Sequence, residues 1–160
     1  ARGGLVWYPL TMSAIRTILV PVDFSEGSDT ATRYAAALAK QLGANLELLN
    51  VYGLPMVTAP DGSFMVTPEI VTKLSADAQE AVDRIAVELR NLGVEVTTRV
   101  TEGAPHEEIT RRATEGGFDL VVMGTHGRTG LRHFLIGSTA ERVVRTSKVP
   151  VLTVPLPHEG

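Results

Sequence analysis

At 160 residues, with 44% hydrophobic and 21% charged side chains, the chain is long enough for one domain with its own core and has the balance of a soluble globular fold. A formal net charge of −3 without a cluster of Lys or Arg leaves no electrostatic footprint for nucleic acid, and zero cysteines exclude disulfides, thiolate metal sites and a cysteine nucleophile. No apolar run reaches the roughly 18 residues of a membrane span, so neither nucleic acid nor membrane is an expected partner, and a reducing, cytoplasmic setting fits.

Residues 1–11 (ARGGLVWYPLT) show no hydrophobic period, lack the features of a secretory signal and precede Met12, which suits an initiator. They are read as an N-terminal extension outside the fold, with one nucleotide-binding domain expected over residues 12–156. Arg16 to Val22 is the first β-rich apolar run. Ser25 can cap a first helix, with Ala31, Tyr34, Ala35, Leu38 and Leu42 on its inner face and Gly43 at its end. Leu46 to Val51 is a second strand. The connection from Gly53 to Val66 is long and carries Met56, Phe64 and Met65, which suits a flap over the core, a partner surface or a lid.

Thr67 followed by Pro68 signals the start of a second helix, with Val71, Leu74, Ala78, Ala81, Ile85, Leu89 and Leu92 on one face and Gly93 as its stop. Val94 to Val100 is a third strand, and Ala104-Pro105 opens a third helix with Ile109 and Ala113 inward. On that helix, Glu107 and Glu108 with Arg111 and Arg112 read as a solvated face of spaced ion pairs. Phe118 to Met123 is a fourth strand and Val149 to Val154 a fifth. Strand–helix alternation through five strands predicts an α/β fold with a doubly wound parallel sheet and helices on both faces.

After the fourth strand comes Gly124-Thr-His-Gly127, then nine residues, then Gly137-Ser138 at the head of the helical stretch Ser138-Thr-Ala-Glu-Arg-Val-Val. A buried strand, a glycine-punctuated loop and a helix start in that order suit an anion. Glycine permits close backbone approach, and the helix start offers unpaired N–H donors. The spacing matches neither the P-loop nor the dinucleotide fingerprint. Turn glycines and a capping box of Ser138 with Glu141 account for the same residues without a ligand. The length of the loop favours function, since such connections usually run to about 2–6 residues.

Open parallel sheets bind ligands beyond the carboxyl ends of the strands, where the strand order reverses. In the order 3-2-1-4-5 that place lies between strands one and four. Asp23 ends strand one, so it and the glycine loop meet in one crevice. Its carboxylate can accept from ribose hydroxyls or an adenine amine. Arg128 either pairs with a phosphate or is a solvated loop residue. His126 and His133 have no carboxylate or hydroxyl at a revealing spacing and no metal-ligand pattern, so neither is a catalytic or metal candidate.

Gly124-x-x-Gly127 with Gly137-Ser138, Ile18 to Asp23 before the first helix and Val149 to Val154 at the end together resemble the universal stress protein family, over residues 12 to 156. The resemblance implies the strand order 3-2-1-4-5, a homodimer and the ATP-binding branch, which keeps the full glycine motif. It places Asp23 and the backbone near Val51, with Pro21 and Val22, at the adenosine end. Met123, Gly124, Thr125, Gly127, Arg128, Gly137, Ser138 and Thr139 would surround the ribose and phosphates, with Mg or Mn able to bridge the phosphates. The implied function is a nucleotide-dependent regulator of stress response. Hydrolysis would be slow at most, since no water-activating base or P-loop lysine is evident. An adenylating enzyme on the same fold and a dimerisation module without nucleotide are the alternatives. The Val149–Val154 edge strand is the expected dimer seam.

Overall fold

Among the described residues nine elements alternate: β1 (Thr17–Pro21), α1 (Glu26–Leu42), β2 (Asn45–Tyr52), α2 (Pro68–Asn91), β3 (Val96–Glu102), α3 (Pro105–Glu115), β4 (Leu120–Gly124), α4 (Ser138–Thr146) and β5 (Val151–Val154). This computed structural model describes residues 14–54, 66–126 and 136–157. The segment 1–11 and most of the Gly53–Val66 connection lie outside the described residues.

The strands form one parallel sheet in the order β3-β2-β1-β4-β5, as expected. Two cores cover its faces. Ile18, Val20, Leu46, Leu48, Val96 and Val122 pack under α1 and α2, whereas Leu19, Leu49, Val121 and Met123 pack under α3 and α4. Each of the three central strands, β2, β1 and β4, thus contributes to both faces, which is why their runs are apolar almost without interruption.

Helix starts and stops follow the capping chemistry. The Ser25 hydroxyl accepts from the Ser28 N–H at 3.2 Å, and the Thr67 hydroxyl accepts from that of Ile70 at 3.4 Å. Gly43 closes α1 at φ 66°, a left-handed conformation that suits glycine. Strand bounds shift where a neighbour takes the backbone first. The Val94 N–H is committed to the Leu89 carbonyl at the end of α2, so β3 begins at Val96. Ser147 bonds both the N–H and the carbonyl of Val149, so β5 begins at Val151.

The inner helix faces differ from the expected ones. Small residues Ser28, Ala31, Thr32, Ala35, Ala36 and Ala39 let α1 lie close on the sheet, and this narrow stripe leaves Tyr34 and Leu42 about half exposed. In α2 the buried residues are Val82, Ala86 and Leu89, and Leu92 is exposed. On α3 the expected solvated face is corrected at Arg112. Its guanidinium turns inward and grips Glu47 of β2 with two bonds of 2.6 Å, lying over the Phe118 ring. Arg111 stays in the surface pattern, paired with Glu108 and Glu115.

Candidate functional site

Because β1 and β4 are neighbours while α1 and α4 leave them toward opposite faces, a crevice of about 770 Å³ opens beyond the carboxyl ends of the strands. Pro21, Val22 and Asp23 line it from β1, Val51 from β2, and Met123, Gly124 and Thr125 from β4. Gly137, Ser138 and Thr139 line it from the start of α4. These residues, drawn from four elements, are thus brought together. Gly127 and Arg128 lie outside the described residues.

At the end of β1 the chain is pinned. Asp23 Oδ1 accepts from the Ser25 N–H at 3.0 Å and from the Ser25 hydroxyl at 2.5 Å, and Ser25 in turn caps α1. Between them Phe24 adopts φ 63°, an unusual conformation for a bulky residue, and its side chain is 41% exposed at the crevice. Asp23 Oδ2 takes no part in this clamp and has no donor among the described residues.

At the end of β4 the structure gives a packing reason for glycine. A β-carbon on Gly124 would stand 2.6 Å from the Gly27 carbonyl oxygen, and one on Gly27 would collide with the His126 carbonyl. The first turn of α1 therefore rests directly on the strand end. His126 faces the crevice with Nδ1 2.8 Å from the Thr125 hydroxyl.

The expected capping box at α4 does not form. Gly137 is the N-cap, with its own N–H donated to the Thr125 carbonyl at 2.6 Å, and it has no side chain with which to cap the helix. Ser138 falls one position later, inside the first turn, so its hydroxyl is not the cap. The Ser138, Thr139 and Ala140 N–H groups consequently point out of the first turn without an intrahelical or side-chain partner among the described residues, and all three residues line the crevice. That arrangement suits an anion. Among the described residues no group of three or more His, Asp or Glu side chains is placed to hold a metal ion.

The sequence reading missed the wall formed by β2 and α2. Asn50 is 5% exposed and lines the crevice, as do Leu74, Ala78 and Ala81 of α2. The expected core face of α2 includes the last three, but the upper part of that stripe overlooks the crevice instead. The available signal was Asn50 itself, a polar residue inside an otherwise apolar strand run.

A model of the universal stress protein family matches residues 14–155. The chain belongs to the universal stress protein family. Universal stress protein MJ0531 of Methanocaldococcus jannaschii is 36% identical over 146 residues, which cover 90% of this chain and 84% of that one. The solved structure of hypothetical protein MJ0577 has a TM-score of 0.80 at 31% identity, covering 92% of this chain and 100% of that one. A universal stress protein solved in complex with cAMP has a TM-score of 0.62 at 28% identity, covering 89% and 98% of the two chains. The family thus includes a protein solved with an adenine nucleotide. No helix among the described residues of this family member is long and apolar enough to cross a membrane.

Proposed function

We propose that this universal stress protein binds ATP in the crevice between β1 and β4 and acts as a nucleotide-dependent regulator of stress response. The observation that carries the reading is the uncapped start of α4, whose N–H donors face the same crevice as the Asp23 carboxylate. Donors at one end suit the phosphates, and a carboxylate at the other suits the hydroxyls or amine of adenosine. The cAMP complex of a relative supports an adenine nucleotide as the ligand class.

In this reading Pro21, Val22, Asp23 and the Val51 backbone hold the adenosine end. Met123, Gly124, Thr125, Gly137, Ser138 and Thr139 hold the ribose and phosphates, with Gly127 and Arg128 completing the loop. Mg or Mn would arrive with the phosphates. In this reading hydrolysis is slow at most, because the glycine loop lacks the lysine of a P-loop. The protein is a cytoplasmic homodimer joined through the outer edge of β5. Mass spectrometry of gently purified protein is the direct test. Co-purifying adenine nucleotide is expected, whereas its absence together with no calorimetric binding of added ATP would overturn the reading.

A further inference from the structure

We propose that Asn50 selects the base: its side-chain oxygen accepts a hydrogen bond from the exocyclic amine of the nucleotide bound in the crevice. This deepens the nucleotide-binding reading and rests on it.

Asn50 stands near the end of β2, where the Val22 carbonyl takes its Nδ2 at 2.8 Å. That bond fixes which way the amide faces, since the reversed amide would set two carbonyl oxygens against each other. In a regular parallel ladder the Val22 carbonyl would accept from the Val51 N–H, because the Val22 N–H donates to the Leu49 carbonyl at 2.8 Å. The Asn50 amide occupies that acceptor instead. Its nitrogen is therefore committed to the fold.

Its oxygen is not. Oδ1 is buried and has no hydrogen-bond partner, while the residue lines the crevice. Buried acceptors without donors are rare and costly, and one at the wall of a binding crevice calls for a donor from the ligand. From α2 the crevice takes Leu74, Ala78 and Ala81 together with Asp77, a mainly apolar lining whose carboxylate can accept but not donate, which suits an amino-bearing heterocycle better than a phosphate. The anion-binding N–H groups belong to α4, on a different wall. A committed nitrogen and an unpartnered oxygen together form an acceptor-only reader. A 6-amino purine satisfies it, whereas a 6-oxo purine presents a second acceptor and is rejected.

The test is calorimetric binding of ATP, of inosine triphosphate and of purine riboside triphosphate, which carries only hydrogen at the same position. Wild-type protein should bind ATP at least about tenfold more tightly than either analogue. In Asn50→Leu, of similar size but without the oxygen, ATP should weaken by at least about tenfold and the preference should collapse toward one. Equal wild-type binding of ATP and the analogues overturns the inference, and needs no variant to fold. A preference for ATP that persists in folded Asn50→Leu overturns it too, while leaving the nucleotide-binding reading intact. If wild-type protein binds none of the three, both fall together.

Discussion

Gly27 and Gly124 meet backbone against backbone, so that the first turn of α1 rests on the last residue of β4 with no side chain between them. Gly124 lines the crevice, but the space its β-carbon would take is filled by the protein itself. Gly124→Ala is therefore expected to destabilise the fold by about 1–3 kcal/mol, as overpacking does, whatever ligand is present. Gly27→Ala should cost at least as much, because it drives into the His126 carbonyl. Thermal melting without nucleotide checks both, and unchanged midpoints would contradict the close contact.

Gly137 behaves differently. Its φ of −62° and ψ of 150° are open to any residue, so the backbone does not demand glycine there. Gly137→Val should fold with a loss of stability of at most about 1 kcal/mol, from the poorer cap. Its side chain would nevertheless stand beside the N–H donors of α4, and ATP affinity should fall by at least about tenfold. Calorimetry giving wild-type affinity in the folded variant would remove the phosphates from this helix start.

Asp23 clamps Ser25 and, in the proposed reading, also holds the adenosine end, and substitution can separate the two. Asp23→Ala loses both the Ser25 clamp and the carboxylate, so stability and nucleotide affinity should fall together. Asp23→Asn keeps an acceptor for Ser25 and should melt close to wild type while binding ATP and ADP more weakly, and to a similar extent. A loss confined to ATP would point instead to a metal-bridged phosphate contact.

The outer edge of β5 offers a test of assembly. The Pro150 and Val154 carbonyls accept from β4, at Val121 and Thr125, so alternation turns the Val151 and Thr153 backbone groups outward. Thr153→Pro removes an outward donor while leaving the bonds to β4 in place, and should shift the protein from dimer toward monomer. Light scattering at micromolar concentration reads the change. A wild-type monomer would refute this seam.

Asp119 should make stability depend on acid. Its Oδ2 accepts from the Arg16 and Thr17 N–H groups at 2.9 and 3.0 Å and from the Thr17 hydroxyl at 3.0 Å, and these bonds hold its pKa below the usual aspartate range. Because the folded value is the lower one, the stabilisation is fully present above the unfolded pKa of about 4 and fades as pH falls through the folded value. Asp119→Ala should cost about 1–2 kcal/mol at neutral pH, and the gap from wild type should narrow steadily below about pH 4. A gap independent of pH in denaturant titrations would rule the carboxylate out.

How far the sequence could be read depended on the kind of signal. Strand runs, helix starts and Gly43 were legible because periodicity and capping are local properties of neighbouring residues. The crevice was legible at Asp23, Gly124, Gly137 and Ser138 because a strand end followed by a loop marks position in a parallel sheet. The inward turn of Arg112 was not, since its partner Glu47 lies on another element and i,i+4 spacing offered it surface partners. Nor was the shift of the helix cap from Ser138 to Gly137, which depends on where Thr125 draws the preceding backbone. Asn50 stayed hidden for a similar reason: a polar residue in a strand reveals its purpose only when its neighbours are known.

The pairing of β1 with β4, through Ile18 with Leu120 and Leu19 with Val121, joins segments separated by two whole strand–helix units. The β4 and α4 walls of the crevice depend on that late, long-range union. A chain emerging from synthesis up to β3 has Asp23 and Asn50 but no β4 strand end and no α4 start to set against them. Ligand affinity in this architecture is therefore a property of the completed chain alone. Bound nucleotide would act as a latch on the last-formed part of the sheet, rewarding only molecules that have finished folding.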